Sequence, residues 1–309
     1  MPALTLPPEW LWIPVTVWAA FAQTLRNAAQ RSLTDSLGTL GATLVRFLYG
    51  LPFAALWLWL VHRIGGYALP APTAAFAVWV VIGAVAQIVA TALLLRVMAE
   101  RNFALGVAYS KTEIIQVALF GLVFIGDPIG AVSAAAIACG TLGVLLLSPA
   151  DKERPWRALL TGWTSRIALI GLGSGAAFAL SAVGYRGAAL ALDGAPFLVA
   201  AAFTLLVAQA IQTVLLGGWL LVRAPEVIGR VFRAWRASLF AGFMGAAASA
   251  GWFTAMAIEP VAHVRTLGLV ELIFSYAVSR KLFRERLSPL ELAGIVLLVA
   301  GLVIITLWR

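Results

Sequence analysis

The chain has 309 residues, of which 62% are hydrophobic and 11% charged, and its mean hydropathy is +0.97. Soluble domains carry about 25% charged residues, so there are too few charges here to cover a water-facing surface, and disorder is excluded because it needs low hydrophobicity. At about 20 apolar residues per bilayer crossing, the length allows roughly ten crossings and leaves no separate soluble domain.

The N-terminal MPALTLPPEW has no basic region ahead of its first apolar run, so that run is expected to be a retained helix rather than a cleaved signal. Apolar runs bounded by charged or Pro/Gly breaks fall at 10–30, 38–61, 74–98, 103–125 and 129–148. A polar, basic linker at 149–164 separates them from runs at 166–190, 196–222, 236–258, 262–283 and 288–308. Barrel strands would alternate over about ten residues, whereas these runs are long and continuous. The fold class expected is therefore an all-α integral membrane protein of ten transmembrane helices.

Charges inside the spans carry the most information. Arg26, Arg46, Lys111, Arg186 and Arg265 are basic, and Glu113 and Glu271 are acidic. Facing lipid, each would cost about 2.5–3.5 kcal/mol, so the set would cost on the order of 20 kcal/mol, more than a typical stability of about 5–15 kcal/mol. Most must face the bundle interior, a partner or water. Lys111 and Arg265, near span ends, are expected to snorkel.

Helical spacing groups the polar residues into stripes. Gln23, Arg26, Asn27 and Gln30 share one face of the first span, and Tyr109, Thr112, Glu113 and Gln116 share one face of the fourth. Arg46 and Tyr49 in the second span, Gln87 and Thr91 in the third, and Gln209, Gln212 and Thr213 in the seventh add further stripes. Ser249 and Trp252 in the eighth and Glu271 and Ser275 in the ninth complete the set, as a central hydrophilic cavity requires. Two readings of the acids stay open. Glu113 pairs with Arg26 or Arg46, and Glu271 with Arg186, as structural salt bridges, or the acids bind substrate or protons. The surplus of basic over acidic residues tilts the cavity toward anionic or zwitterionic substrates. Trp18, Trp79, Tyr109, Trp252 and Tyr276 are expected along the cavity. Trp10, Trp12, Trp57, Trp59, Trp219, Trp235 and Trp308 are expected as interfacial anchors.

The halves align with each other. A shift of about 160 residues places Arg26 on Arg186, Trp59 on Trp219 and Arg63 on Arg223, and a shift of 158 places Met98 on Met256, Glu113 on Glu271 and Gly143 on Gly301. Five helices per unit is an odd number, so the second unit enters the membrane inverted, an arrangement common in secondary transporters. The predicted units are 1–148 and 165–309, joined by 149–164. Most of the 22 Lys and Arg lie opposite the termini, which places both termini outside by the positive-inside rule. The basic patches lack interleaved aromatics, so anionic lipid headgroups rather than nucleic acid are their expected partners.

Cys139 is the single cysteine, excluding an intrachain disulfide. No HExxH, CxxC, GxSxG or Walker loop occurs, so neither enzymatic activity, nor a metal or cofactor, nor ATP-driven pumping is expected. GLGSG at 171–175 lacks the preceding strand of a phosphate loop and reads as close helix packing.

The stretches 107–147 (VAYSKTEIIQVALFGLVFIGDPIGAVSAAAIACGTLGVLLL) and 264–307 resemble the paired EamA units of the drug/metabolite transporter superfamily. The resemblance rests on an apolar helix, a short acidic turn (GDP at 126–128, RERLSP at 284–289) and a Gly-containing apolar helix. It implies a multi-pass transporter of a bacterial-type inner membrane, exporting amino acids or other small metabolites by alternating access, as a monomer or homodimer. Proton coupling through Glu113 and Glu271 is the expected driving mechanism. Two departures stand out. Relatives are drawn with cytoplasmic termini, and the related small multidrug exporters use a glutamate in a first helix that here carries Arg26. The expected substrate and coupling residues are Arg26, Asn27, Arg46, Tyr109, Glu113, Gln116, Arg186, Gln209, Gln212, Trp252 and Glu271. Proton-coupled multidrug or cation efflux is the alternative, with a membrane scaffold behind it.

Overall fold

The computed structural model describes residues 9–100, 113–147 and 166–274, with a few more between 293 and 304. Among these, every regular element is helical. The elements are α1 (Trp12–Leu48), α2 (Leu51–Arg63), α3 (Ala74–Glu100), α4 (Glu113–Phe120, continued by a π-helical turn Gly121–Ile125), α5 (Ala131–Leu147) and α6 (Arg166–Leu190). They continue as α7 (Phe197–Arg223), α8 (Pro225–Arg233), α9 (Trp235–Ile258) and α10 (Val261–Leu267). The 149–164 linker, the start of the 103–125 span and most of the last span lie outside the described residues.

Among the described residues four helical runs are long and apolar enough to cross a bilayer: Trp12–Arg63, Ala74–Val97, Phe197–Arg223 and Trp235–Ile258. The first has 52 residues, which as one straight helix at about 1.5 Å per residue would far exceed a bilayer of about 30 Å. It folds back at Gly38, whose φ of 71° and ψ of 170° lie in a region essentially reserved for glycine. Gln30 then donates Nε2–H to the Ala42 carbonyl at 2.8 Å, a contact between residues twelve apart that a straight helix forbids. The break between the first two predicted spans therefore exists, but it is one glycine wide, and the first helix runs past residue 30 to reach it.

Apolar residues face outward along the spans, while four of the charges within them face inward. Val78, Val81, Val85 and Val89 form an exposed stripe on α3, and Val214, Trp219, Leu221 and Val222 are exposed on α7, while Arg26, Arg46, Glu113 and Glu271 are all buried. This inversion of the soluble pattern is what a hydrocarbon solvent selects. The short α8 begins on Pro225 and is amphipathic: Val227 and Val231 are buried while Arg230 and Arg233 lie on its outer side.

Small residues fix the two most extensive helix pairs, α1 with α9 and α3 with α6. A Cβ on Gly184 of α6 would stand 2.9 Å from the backbone of Gly83 in α3, and one on Gly251 of α9 would stand 2.8 Å from Ala19 Cβ in α1. Without a hydrophobic driving force inside lipid, such close approach supplies the dispersion contacts that hold helices together. Trp12, expected as an interfacial anchor, is instead 1% exposed. Its position at the α1 N-terminus is covered by neighbouring elements, which a count from span ends does not reveal.

Candidate functional site

A polar cavity lies at the centre of the bundle. α1 contributes Gln23, Arg26, Asn27 and Arg46; α3 contributes Gln87 and Leu94; α4 contributes Glu113; α6 contributes Phe178 and Tyr185. Ser249, Trp252, Phe253 and Met256 come from α9, Arg265 from α10, and Glu271 from the helical turn beyond it. The space is about 20 Å³, room for one or two waters. Five charged side chains thus surround almost no volume, and none of them is more than 7% exposed.

The local geometry follows from breaks in the helices. Because α1 reverses at Gly38, Arg26 and Arg46, twenty residues apart, face the same cavity. Pro260 ends α9 by holding Glu259 extended (φ −125°, ψ 149°) and starts α10. After α10 the backbone tightens to three-residue steps, Leu269 N–H to Thr266 O and Glu271 N–H to Gly268 O. This tight turn lies between the two charged residues of the segment, Arg265 and Glu271. Gly268 is required there, since a Cβ would stand 2.5 Å from the Trp252 ring.

The pairing of charges differs from expectation. Glu113 lies nearest Arg265 (Oε1 to Nη1, 3.6 Å), not Arg26 or Arg46. Arg265 does not snorkel: it is 7% exposed, and its guanidinium carbon sits 4.7 Å over the Trp252 ring, a cation–π contact. The tight turn into which α10 leads carries it inward. Glu271 does not pair with Arg186. It accepts hydrogen bonds from Gln23 Nε2 (2.7 Å) and Asn27 Nδ2 (3.0 Å), while Asn27 Oδ1 accepts from Arg26 Nη2 (2.7 Å) and Nε (3.2 Å). The amide of Asn27 thus relays the attraction between Arg26 and Glu271 through one side chain. Arg46 reaches two hydroxyls, Thr91 Oγ1 at 3.2 Å and Ser249 Oγ at 3.4 Å.

Arg186 sits one layer away, beyond Met256. Its Nη1 donates to the carbonyls of Met256 (2.7 Å) and Glu259 (2.8 Å), and its Nη2 donates to Asp127 Oδ1 (3.0 Å). The Nε–Oδ2 separation of 2.8 Å adds ion-pair contact without hydrogen-bond alignment. Beside it, His263 Nδ1 lies 2.6 Å from Glu259 Oε1 and His263 Nε2 lies 2.7 Å from Ser133 Oγ. These groups tie the α4–α5 turn, α5, α6 and the α9–α10 turn into one polar cluster.

Of the residues singled out by sequence, Arg26, Asn27, Arg46, Glu113, Trp252 and Glu271 line the cavity. Gln212 stands behind it, donating to Gln87 Oε1 and Tyr185 Oη at 2.8 Å each. Gln209 lies against Gly50, away from the lining, and Gln116 is half-buried outside it. Tyr109, Lys111 and Tyr276 lie outside the described residues. Sequence reasoning missed Tyr185, Asp127, Glu259 and His263. The i,i+4 spacing of Glu259 and His263 beside Pro260 was the available signal for the last two.

Trp18 and Trp79 are not cavity residues. Trp79 packs on Gly187, and Trp18 borders a separate apolar groove of about 590 Å³ that also contains Phe53, Trp57, Tyr67, Phe197 and Phe243. Among the described residues no carboxylate lines that groove.

No family model matches the chain, and no curated protein does. A solved structure described only as "Crystal structure of protein" superposes with a TM-score of 0.67 at 15% identity, over 95% of this chain and 94% of that one. At that identity the likeness concerns the fold alone.

Proposed function

We propose that this chain is a secondary transporter that moves small polar metabolites, such as amino acids or organic anions, by alternating access. It exports them, as EamA-type members of the drug/metabolite transporter superfamily do. The observation that carries the reading is the central cavity: five buried charges from both halves of the chain enclose room for one or two waters. Buried charge of that density is expensive in lipid and marks a pathway for ions or polar substrates. A volume that small fits the occluded stage of a transport cycle.

The helix pairing supports two inverted five-helix repeats, 1–148 and 165–309. If the first span corresponds to the sixth and the third to the eighth, a two-fold axis converts the α1–α9 pair into the α3–α6 pair, and these are the two most extensive contacts. In this scheme the ten spans cross a bacterial-type inner membrane with both termini outside, and the basic face, including α8, meets anionic headgroups. Glu113 is the coupling carboxylate, because its 3.6 Å contact with Arg265 is loose enough to break when a proton binds. The chain works without a cofactor, as monomer or homodimer.

One observation favours lipophilic-cation efflux instead, namely the aromatic groove. The absence of a carboxylate from its lining weighs against that alternative.

The test is proton-driven uptake into proteoliposomes. Glu113→Gln is expected to abolish or uncouple transport while the protein stays folded. Wild-type flux with unchanged pH dependence in that variant would remove the coupling role.

A further inference from the structure

Arg46 differs from the other cavity charges. Among the described residues, Arg265 has Glu113 at 3.6 Å, and Arg26 has Glu271 relayed through Asn27. Among the same residues Arg46 has no carboxylate, only two hydroxyls at 3.2 and 3.4 Å and the Phe47 ring 5.5 Å from its guanidinium carbon, and its Nε has no hydrogen-bond partner. It is 3% exposed. Among the described lining residues there are three guanidiniums against two carboxylates, Glu113 within ion-pair range of Arg265 and Glu271 accepting from Gln23 and Asn27. A buried guanidinium without a counter-charge keeps most of its desolvation penalty, which a bound anion relieves.

We propose that Arg46 is the substrate's anion-binding residue and that the substrate class is small monocarboxylates. This deepens the transport reading of the same cavity and rests on it. Among the described lining residues the surplus is a single positive charge, which one carboxylate neutralises. A second negative charge would be uncompensated, and a substrate ammonium would find both glutamates already engaged. The guanidinium fork suits a carboxylate held by two parallel bonds: the unpartnered Nε and the weakly held Nη2 form one edge of it. Thr91 and Ser249 then release to the carboxylate or add hydroxyl donors. Gly245 lets α9 pack closely on the Arg46 stem, since a Cβ there would stand 3.2 Å from Arg46 Cγ.

The experiment is isothermal titration of the full-length protein in detergent with propionate, alanine, succinate, inorganic phosphate, chloride and tetramethylammonium. Propionate is expected to bind most tightly. Arg46→Gln should weaken it by about tenfold to hundredfold, Arg46→Lys should recover part of the loss, and Arg63→Gln, on the exposed end of α2, should bind as wild type. Preferred binding of alanine, succinate, phosphate or tetramethylammonium would overturn the substrate class. So would chloride binding as tight as propionate, which would reduce the site to a counter-ion position. Unchanged propionate binding in Arg46→Gln would overturn the residue assignment. The ligand series on the wild-type protein decides the class even if a variant fails to fold. Proteoliposome flux separates the two readings: propionate that binds but is never carried removes the transport function and leaves the site standing, whereas flux of cations without anion binding does the reverse.

Discussion

Two arginines that the sequence places inside apolar spans, Arg46 and Arg186, end in opposite chemical states. Arg186 meets a carboxylate along one edge and two carbonyls with Nη1. Arg46, also buried, meets two hydroxyls at 3.2 and 3.4 Å. A guanidinium with five donors is a demanding group, and burial makes each unmet donor costly. Where the fold supplies the partners, the arginine is a fastener between chain segments. Where it does not, donors are left over, and on these the proposed anion site rests.

The largest expected effect tests that contrast directly. Arg186→Gln leaves the partly buried Asp127 beside a neutral amide and should destabilise the protein by about 3 kcal/mol, the low end of the cost of breaking a buried pair. Arg46→Gln removes an uncompensated charge and should be neutral or stabilising while anion binding is lost. Chemical unfolding of both variants in the same detergent decides the matter, and equal destabilisation would erase the distinction.

Gly184→Ala strikes both regions at once. The new methyl meets the Gly83 backbone and pushes α3 from α6, which carry Gln87 and Tyr185 of the cavity as well as Arg186. The expected loss is about 1–3 kcal/mol, typical of overpacking. Gly218→Ala on α7, where nothing lies within 4 Å, is the matched control with no loss.

Trp252→Phe should do least. It keeps an aromatic face under Arg265 but deletes the 2.9 Å bond from Nε1 to Gln23 Oε1, costing about 1 kcal/mol. The deficit should appear in ligand affinity and leave the Arg186 cluster unaffected. A change in how tightly α5 and α6 hold together, read by hydrogen exchange around Ser133, would show that the two regions are not separate.

The helical class was legible because apolar runs of bilayer length permit little else. Local spacing also brought out Gln23, Arg26 and Asn27 as one stripe, since residues three and four apart on a helix share a face whatever surrounds it. The partners of each charge were not legible. Arg265 looked like a span-end residue because only the tight turn at Gly268 shows that its segment leads inward. Asp127 and Glu259 sit in turns, where no periodicity marks a direction.

By itself, then, the sequence determined that the chain is helical, that its outer surface is apolar, and which charges must be hidden. Those properties follow from composition and from a period of 3.6 residues, both local. Only the tertiary structure decided which charges are matched. Pairing depends on reversals at Gly38 and Pro260 that bring together residues 20 to 248 positions apart, and a one-dimensional pattern contains no distance between them.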